Sequence, residues 1–247
     1  MKFMSEQQYG FSLIELAIVL FILGLLLGTL LPPLSAQIEQ KQREETQARL
    51  DEIKAVLYGF AFREERLPCP DCRLNGEGAC VTADVDDGVE DRDASNDCKS
   101  EVGNLPWATL GVQGFDAWEQ NFTYRVTDDF ADDTAGVGTD PATCTATIGV
   151  SFALCSEGDI TILDSDGGSN VATSVPAIVV SHGQNWTETP STDEEENYDD
   201  SANATDSLKS FVYRDFSEDD VNPYDDMLIW ISPHTLRLKM LEAGILP

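Results

Sequence analysis

The chain has 247 residues, 42% of them hydrophobic, and sets 15 Lys and Arg against 45 Asp and Glu for a formal net charge of −30. That length suits one anchor segment plus one medium domain. So negative a balance excludes binding of nucleic acid or anionic lipid headgroups through a basic surface, and leaves solubility or the binding of divalent cations as its uses.

In chain order, residues 1–10 are polar, contain Lys2 and Glu6, and lack the apolar core of an ordinary secretory signal. An apolar run follows over residues 11–31, in which Glu15 is the single ionisable side chain. At about 1.5 Å per residue a helix over that run covers about 31 Å, close to the ~30 Å hydrocarbon core of a bilayer, so the pattern predicts a membrane-spanning helix. A carboxylate at the centre of such a span costs on the order of 2.5–3.5 kcal/mol. Glu15 reads either as a charge tolerated near the interface or as the partner of a cation. A cut between Gly10 and Phe11 would supply one, because the new α-amino group of Phe11 can pair with Glu15 of a neighbouring copy. Gly24 and Gly28 weaken the helix, and Pro32-Pro33 predict an interruption or kink.

Gly10-Phe11-Ser12-Leu13-Ile14-Glu15, behind a short polar leader and ahead of a long apolar segment, resembles the N-terminus of type IV prepilins and type II secretion pseudopilins. The resemblance implies removal of residues 1–10 by prepilin peptidase, N-methylation of Phe11, and filament assembly in which Glu15 guides docking. It also implies a single-pass protein of the bacterial inner membrane whose C-terminal domain lies in the periplasm. The implied partners are other pilin or pseudopilin subunits, the peptidase and an inner-membrane assembly platform. Lys41 and Arg43 after the span run weakly against the positive-inside rule; the cysteines and the resemblance place the C-terminal side outside.

Over residues 34–66 the pattern is helical, with Leu50, Ile53, Leu57 and Phe60 as one apolar stripe. Residues 37–49 are almost wholly polar and predict a stalk standing clear of the domain, with docking by the C-terminal half. Leu67-Pro68-Cys69-Pro70 ends the helix. Six cysteines, Cys69, Cys72, Cys80, Cys98, Cys144 and Cys155, all follow the apolar run and predict disulfides in an oxidising envelope compartment. Cys69-Pro70-Asp71-Cys72 lacks the βαβ surroundings of a redox motif and a second Cys-x-x-Cys partner for zinc. Spacing does not choose a pairing, although Cys144 and Cys155 flank an expected hairpin.

Residues 71–103 read as a polar, stapled loop. Asp84-Val85-Asp86-Asp87-Gly88 is not an EF-hand, since its Gly falls one position early and the closing Glu is missing; a looser calcium cage and a solvated acidic loop are its two readings. Alternation and apolar runs predict strands over 122–126, 145–148, 150–154, 159–163, 177–181 and 227–231, separated by turn residues as in an antiparallel sheet. Residues 188–206 are acidic, with Tyr198 as the one large apolar side chain, and predict a mobile loop. A short helix is expected from Ser232-Pro233, with Leu236, Met240 and Leu241 on one face. The fold class is therefore α+β: a long N-terminal helix, half membrane-spanning and half amphipathic, packed on a small antiparallel sheet domain of pilin type. The divisions fall at residues 1–10, 11–33, 34–66 and 67–247.

Gly103-Asn104-Leu105-Pro106-Trp107, Phe115-Asp116-Ala117-Trp118, the run ending Ser181-His182-Gly183, and Asp225-Asp226 before Met227-Leu228-Ile229-Trp230 resemble, in that order, the outer domain of major pseudopilins. That family binds calcium in its last loop, which implies Asp225 and Asp226 as ligands and calcium as the one candidate cofactor. Ala117 and Glu119 depart from the family turn, Asp225 and Asp226 are adjacent where the family pair is spaced, and the insertions suit a minor or variant subunit. His182 and His234 are the only histidines, and neither a Gly-x-Ser-x-Gly elbow nor a His-Glu-x-x-His pair is present, so no enzyme is expected. The sequence reads as a structural subunit of a type II secretion pseudopilus or type IV pilus-like filament. The alternative is a tip-located minor pilin that recognises a surface, an exported substrate or calcium.

Overall fold

The computed structural model describes residues 12–73, 79–131, 151–186, 190–198, 209–219 and 221–246, with the side chains of 27–35 excepted. The leader with Gly10, Phe11, Cys144, the strand expected over 145–148, and residues 188–189 and 199–206 of the acidic segment lie outside the described residues. The chain divides into two compact units, residues Met1–Arg43 and Glu44–Pro247.

Helix α1 (Leu13–Glu64) is 52 residues long and continues through Pro32 and Pro33, where the missing N–H groups predict a break. Its end is set by Glu65, at φ 59, ahead of the two prolines that cannot extend it. In the second unit the predicted stripe is buried: Leu50, Ile53, Leu57 and Phe60, with Ala61 beside them. The polar stretch does not all stand clear. Thr46 is buried and its Oγ1 accepts the Ala117 N–H at 3.1 Å, while Arg49 Nη1 donates to the carbonyls of Phe115 and Asp116 at 2.6 and 2.8 Å. Polar side chains dock here by satisfying backbone groups, a route that apolar periodicity does not register.

The apolar stripe covers one face of an antiparallel sheet made of β1 (Val102–Asn104), β2 (Thr123–Val126), β5 (Ala177–Ser181) and β7 (Met227–Trp230), in the order β1-β2-β5-β7. Tyr124 and Val126 of β2, Ala177 and Val179 of β5 and Ile229 of β7 share a core with that stripe, with the single-turn helices α2 (Trp107–Leu110) and α3 (Asp128–Ala131), and with helix α5 (Pro233–Glu242). The opposite face carries Ile178, Val180 and Leu228, which pack on a second sheet of β3 (Ile160–Leu163), β4 (Asn170–Val175) and β6 (Ser210–Val212). Strand β5 is thus covered on both sides, which is why its residues form an apolar run rather than an alternation. Each of its buried Val side chains contributes roughly 1.5–3 kcal/mol relative to exposure.

The second sheet departs from the antiparallel expectation, because β3 pairs antiparallel with β4 and parallel with β6. Strands β1, β4 and β6 carry no alternation by which to find them. The strand expected over 150–154 is not formed within 151–154, although Phe152 is buried there and stacks on Phe130 at 4.9 Å; its apolar residues reach the core without a ladder. Helix α5 starts where expected, with Ser232 Oγ accepting the Thr235 N–H and Pro233 at its first turn. Leu236 and Met240 are buried, whereas Leu241 is 40% exposed and lies off the buried face.

The loop between α1 and β1 is stapled by Cys69–Cys98 and Cys72–Cys80, Cys155 is also disulfide-bonded, and no described cysteine is free. Gly88, which suggested a calcium loop, has a packing role instead. It sits at φ +76, and an added Cβ would meet the Trp107 indole at 2.3 Å, so only glycine fits.

Candidate functional site

The pairing Ser181↔Met227 places the exit of β5 beside the entry of β7, so His182-Gly183 and Asp225-Asp226 become neighbours. A third element enters from the segment expected to be a mobile loop. Helix α4 (Thr192–Glu195) is closed by a capping box in which Ser191 and Glu194 each satisfy the other's backbone N–H. Its side chains Asp193 and Glu194 are buried. One carboxylate oxygen from each of Glu194, Asp225 and Asp226 then lies within 4.8 Å of the others.

Neutral N–H donors reach this cluster, and the charge of Arg73 acts on its neighbour His182. Asp225 Oδ2 accepts the N–H groups of Gln184 and Asn185 at 2.8 and 3.2 Å, and its carboxyl group packs on Gly183, where φ is +64 and an added Cβ would come within 2.5 Å. Glu194 Oε1 accepts Asn185 Nδ2 at 3.0 Å and the Asp225 N–H at 3.1 Å. Asp226, 7% exposed, accepts Asn197 Nδ2 at 2.8 Å through Oδ2, while His182 Nδ1 stands 3.9 Å from its Oδ1. Burial, followed by the charges of Glu194 and Asp225, pushes the Asp226 carboxyl well above the usual carboxylate range. Burial and the nearby Arg73 charge push His182 down to about 4, so its ring is neutral at pH 7, with Nε2 2.9 Å from Thr123 Oγ1.

The trio suits calcium in charge and supplies a carboxylate oxygen from each residue toward the roughly six to eight oxygens that this ion takes. The adjacent pair singled out in the sequence is insufficient alone; Glu194 completes the grouping. Beside it opens a cavity of about 380 Å³ lined by His182, Asn185, Trp186, Glu194, Tyr198 and Asp226. The ring of Tyr198 meets that of His182 edge-on at 5.7 Å.

A second acidic grouping, Cys72, Asp84 and Asp91, lies in the stapled loop. Its cysteine is bonded to Cys80, and Lys99 Nζ supplies the counter-charge at 2.6 Å from Asp84 and 3.8 Å from Asp91. The Phe115-Asp116-Ala117-Trp118 motif is structural. Asp116 is buried, its Oδ1 accepts the N–H groups of Trp118 and Gln120, and its Oδ2 accepts the Ser181 hydroxyl at 2.7 Å. Ser181 is thereby tied into the turn.

In the first unit, α1 is apolar on every side and exposed on every side over its described start: Leu13 is 88% exposed, Phe21 69% and Leu25 57%. Glu15 Oε2 accepts the Ser12 N–H at 3.0 Å, closing the first turn. Among the described residues no helix is long and apolar enough to cross a membrane, and the side chains of 27–35 within the apolar run are not among those described.

Residues 7–31 match the family model of the prokaryotic N-terminal methylation motif. This motif is typical of type IV prepilins and pseudopilins, a structural rather than enzymatic group. No curated protein and no solved structure matches the chain. The methylation motif thus rests on its own segment, and the outer domain is read from its geometry. There the sequence singled out Asp225 and Asp226 as candidates and passed over Glu194, Asn197 and Trp186. The signal for Glu194 was present, since Ser191-Thr192-Asp193-Glu194 has the capping-box spacing that marks a helix start.

Proposed function

We propose that this chain is a structural subunit of a type II secretion pseudopilus or type IV pilus-like filament. On this reading prepilin peptidase removes residues 1–10, Phe11 becomes the methylated N-terminus, and the subunit waits in the bacterial inner membrane with residues 44–247 on the periplasmic side before assembly. The observation that carries it is the start of α1, apolar and exposed around its whole circumference behind a matched methylation motif. A helix of that kind needs apolar surroundings, and lipid before assembly or neighbouring helices after it supply them. Glu15, the one charge in the run, pairs with the Phe11 amine of an adjacent copy. Disulfides in the second unit agree with an oxidising compartment.

N-terminal mass spectrometry of protein extracted from cells with active prepilin peptidase tests the processing step. The expected result is an N-methylated Phe11, and an intact Met1 rejects it. Glu15→Ala is expected to insert normally and to assemble at least tenfold less filament, measured by shearing and quantitative blotting; assembly equal to the parent removes the pairing role.

A further inference from the structure

We propose that the cavity between β5, β7 and α4 binds an alkylammonium group, carried either by a lysine side chain of a partner protein or by a free amine. The inference does not rest on the filament reading, because it uses only residues of the second unit. Its floor is acidic: Glu194 and Asp226 both line it. The Asp226 side chain is only 2% exposed; its Oδ2 accepts Asn197 Nδ2, and its Oδ1 stands 3.9 Å from His182 Nδ1, beyond hydrogen-bond reach. A carboxyl group so deeply placed is costly to ionise unless a cation compensates it.

The wall distinguishes an organic cation from a bare ion. Trp186 and Tyr198 border the cavity and are both about half exposed, at 46% and 47%. Aromatic rings attract ammonium groups within about 6 Å of their centroids, Trp most strongly, and pack against the methylene stem behind the charge. A metal ion would use neither ring. At about 380 Å³ the space lies in the range of small-ligand sites, roughly 300–1,000 Å³, far beyond the room one ion needs. The carboxylate oxygens also already accept N–H groups from Asn185, Ser191, Asp225 and Asn197. An ammonium group needs only the lone pairs left over, whereas calcium demands a shell of about six to eight oxygens. The chain's charge of −30 favours approach of any cation.

The test titrates the full-length protein in detergent with n-butylammonium chloride and with Nα-acetyl-lysine methylamide, using n-butanol as the neutral control. Binding is followed by tryptophan emission, with Trp186→Phe identifying the responding residue. Both ammonium probes are expected to give a saturable change that n-butanol does not, weakened at least tenfold in Glu194→Gln and in Asp226→Asn. Tighter binding of the lysine compound by tenfold or more assigns the site to a partner's lysine, and equal binding assigns it to a free amine. Should Asp226→Asn fail to fold, Tyr198→Ala on the open wall serves instead and is expected to weaken binding at least threefold. The proposal is overturned by an equal response to n-butanol, by variants that bind like the parent, or by calcium chloride binding through these residues while the ammonium probes do not.

Discussion

Two buried ionisable residues show how environment decides what a side chain does. Arg125 is fully buried on β2, and the structure repays that cost with Asp159 Oδ1 at 2.6 Å, Asp159 Oδ2 at 2.8 Å and Glu101 Oε2 at 2.8 Å. Burial alone would raise Asp159, but the hydrogen bonds and charge of Arg125, with Lys209 and Thr127, hold its carboxyl well below the usual range. Arg125→Met is therefore expected to destabilise by about 2–4 kcal/mol, less than a fully buried broken pair because Asp159 retains Lys209 and partial solvent. Urea unfolding measures it, and a loss under about 0.5 kcal/mol, the scatter of neutral surface changes, contradicts it. Asp71 is the opposite case. It is buried with one oxygen accepting the Gly88 N–H and the other without a hydrogen bond among the described residues, and burial, then the charges of Asp87 and Asp91, raise its carboxyl to about 7. A raised carboxyl binds more protons folded than unfolded, so its contribution to stability falls as pH rises from about 4 to about 7. Asp71→Asn is expected to flatten that fall, seen as a smaller drop in the urea midpoint between pH 5 and pH 8 than in the parent. An equal drop in both proteins places the titration elsewhere.

At the scale of elements, the stapled loop carries stability that its short ladders do not. Among its described residues it holds only isolated bridges, Asp71↔Asn104 and Arg92↔Cys98, and otherwise relies on side chains such as Glu90, which accepts Arg66 Nη1 and Nη2 at 2.7 Å each. Cys69–Cys98 spans 29 residues of sequence and Cys72–Cys80 spans 8. Loop-closure entropy makes the first worth about 3.5 kcal/mol and the second about 2.5. Replacing Cys69 and Cys98 by Ser is expected to lower stability more than replacing Cys72 and Cys80, measured by urea unfolding without reductant. A reversed order shows that packing against Tyr124, whose hydroxyl donates to the Pro68 carbonyl at 3.0 Å, outweighs chain entropy here.

For the whole molecule, the division at Glu44 has a consequence for folding. Every residue of the two hydrophobic cores lies beyond it, beginning with Leu50. A chain starting at Glu44 is expected to unfold cooperatively and within a few degrees of the full-length protein in detergent, read by near-ultraviolet circular dichroism. A fragment without near-ultraviolet signal shows that the first unit is needed for packing. The same division separates the two proposals: assembly rests on the exposed apolar start of α1, and amine binding on residues of the second unit alone.

Where chemistry is local, the sequence alone determined the result. The methylation motif, the stripe from Leu50 to Phe60, the strands around Tyr124, Val179 and Ile229, and the Ser232-Pro233 helix start each follow from neighbours within a few residues, through periodicity, capping or branching. Only the tertiary structure could decide where the contact spans the chain. The parallel pairing of β3 with β6 joins segments about fifty residues apart. The capping-box spacing marks Glu194 as a helix start but not as buried, because a buried carboxylate and a solvated one are written with the same letter. Asp225 and Asp226 were visible as a pair, but their third partner and the aromatic wall of Trp186 and Tyr198 exist only once β5, α4 and β7 are brought together, since burial is a property of packing rather than of composition.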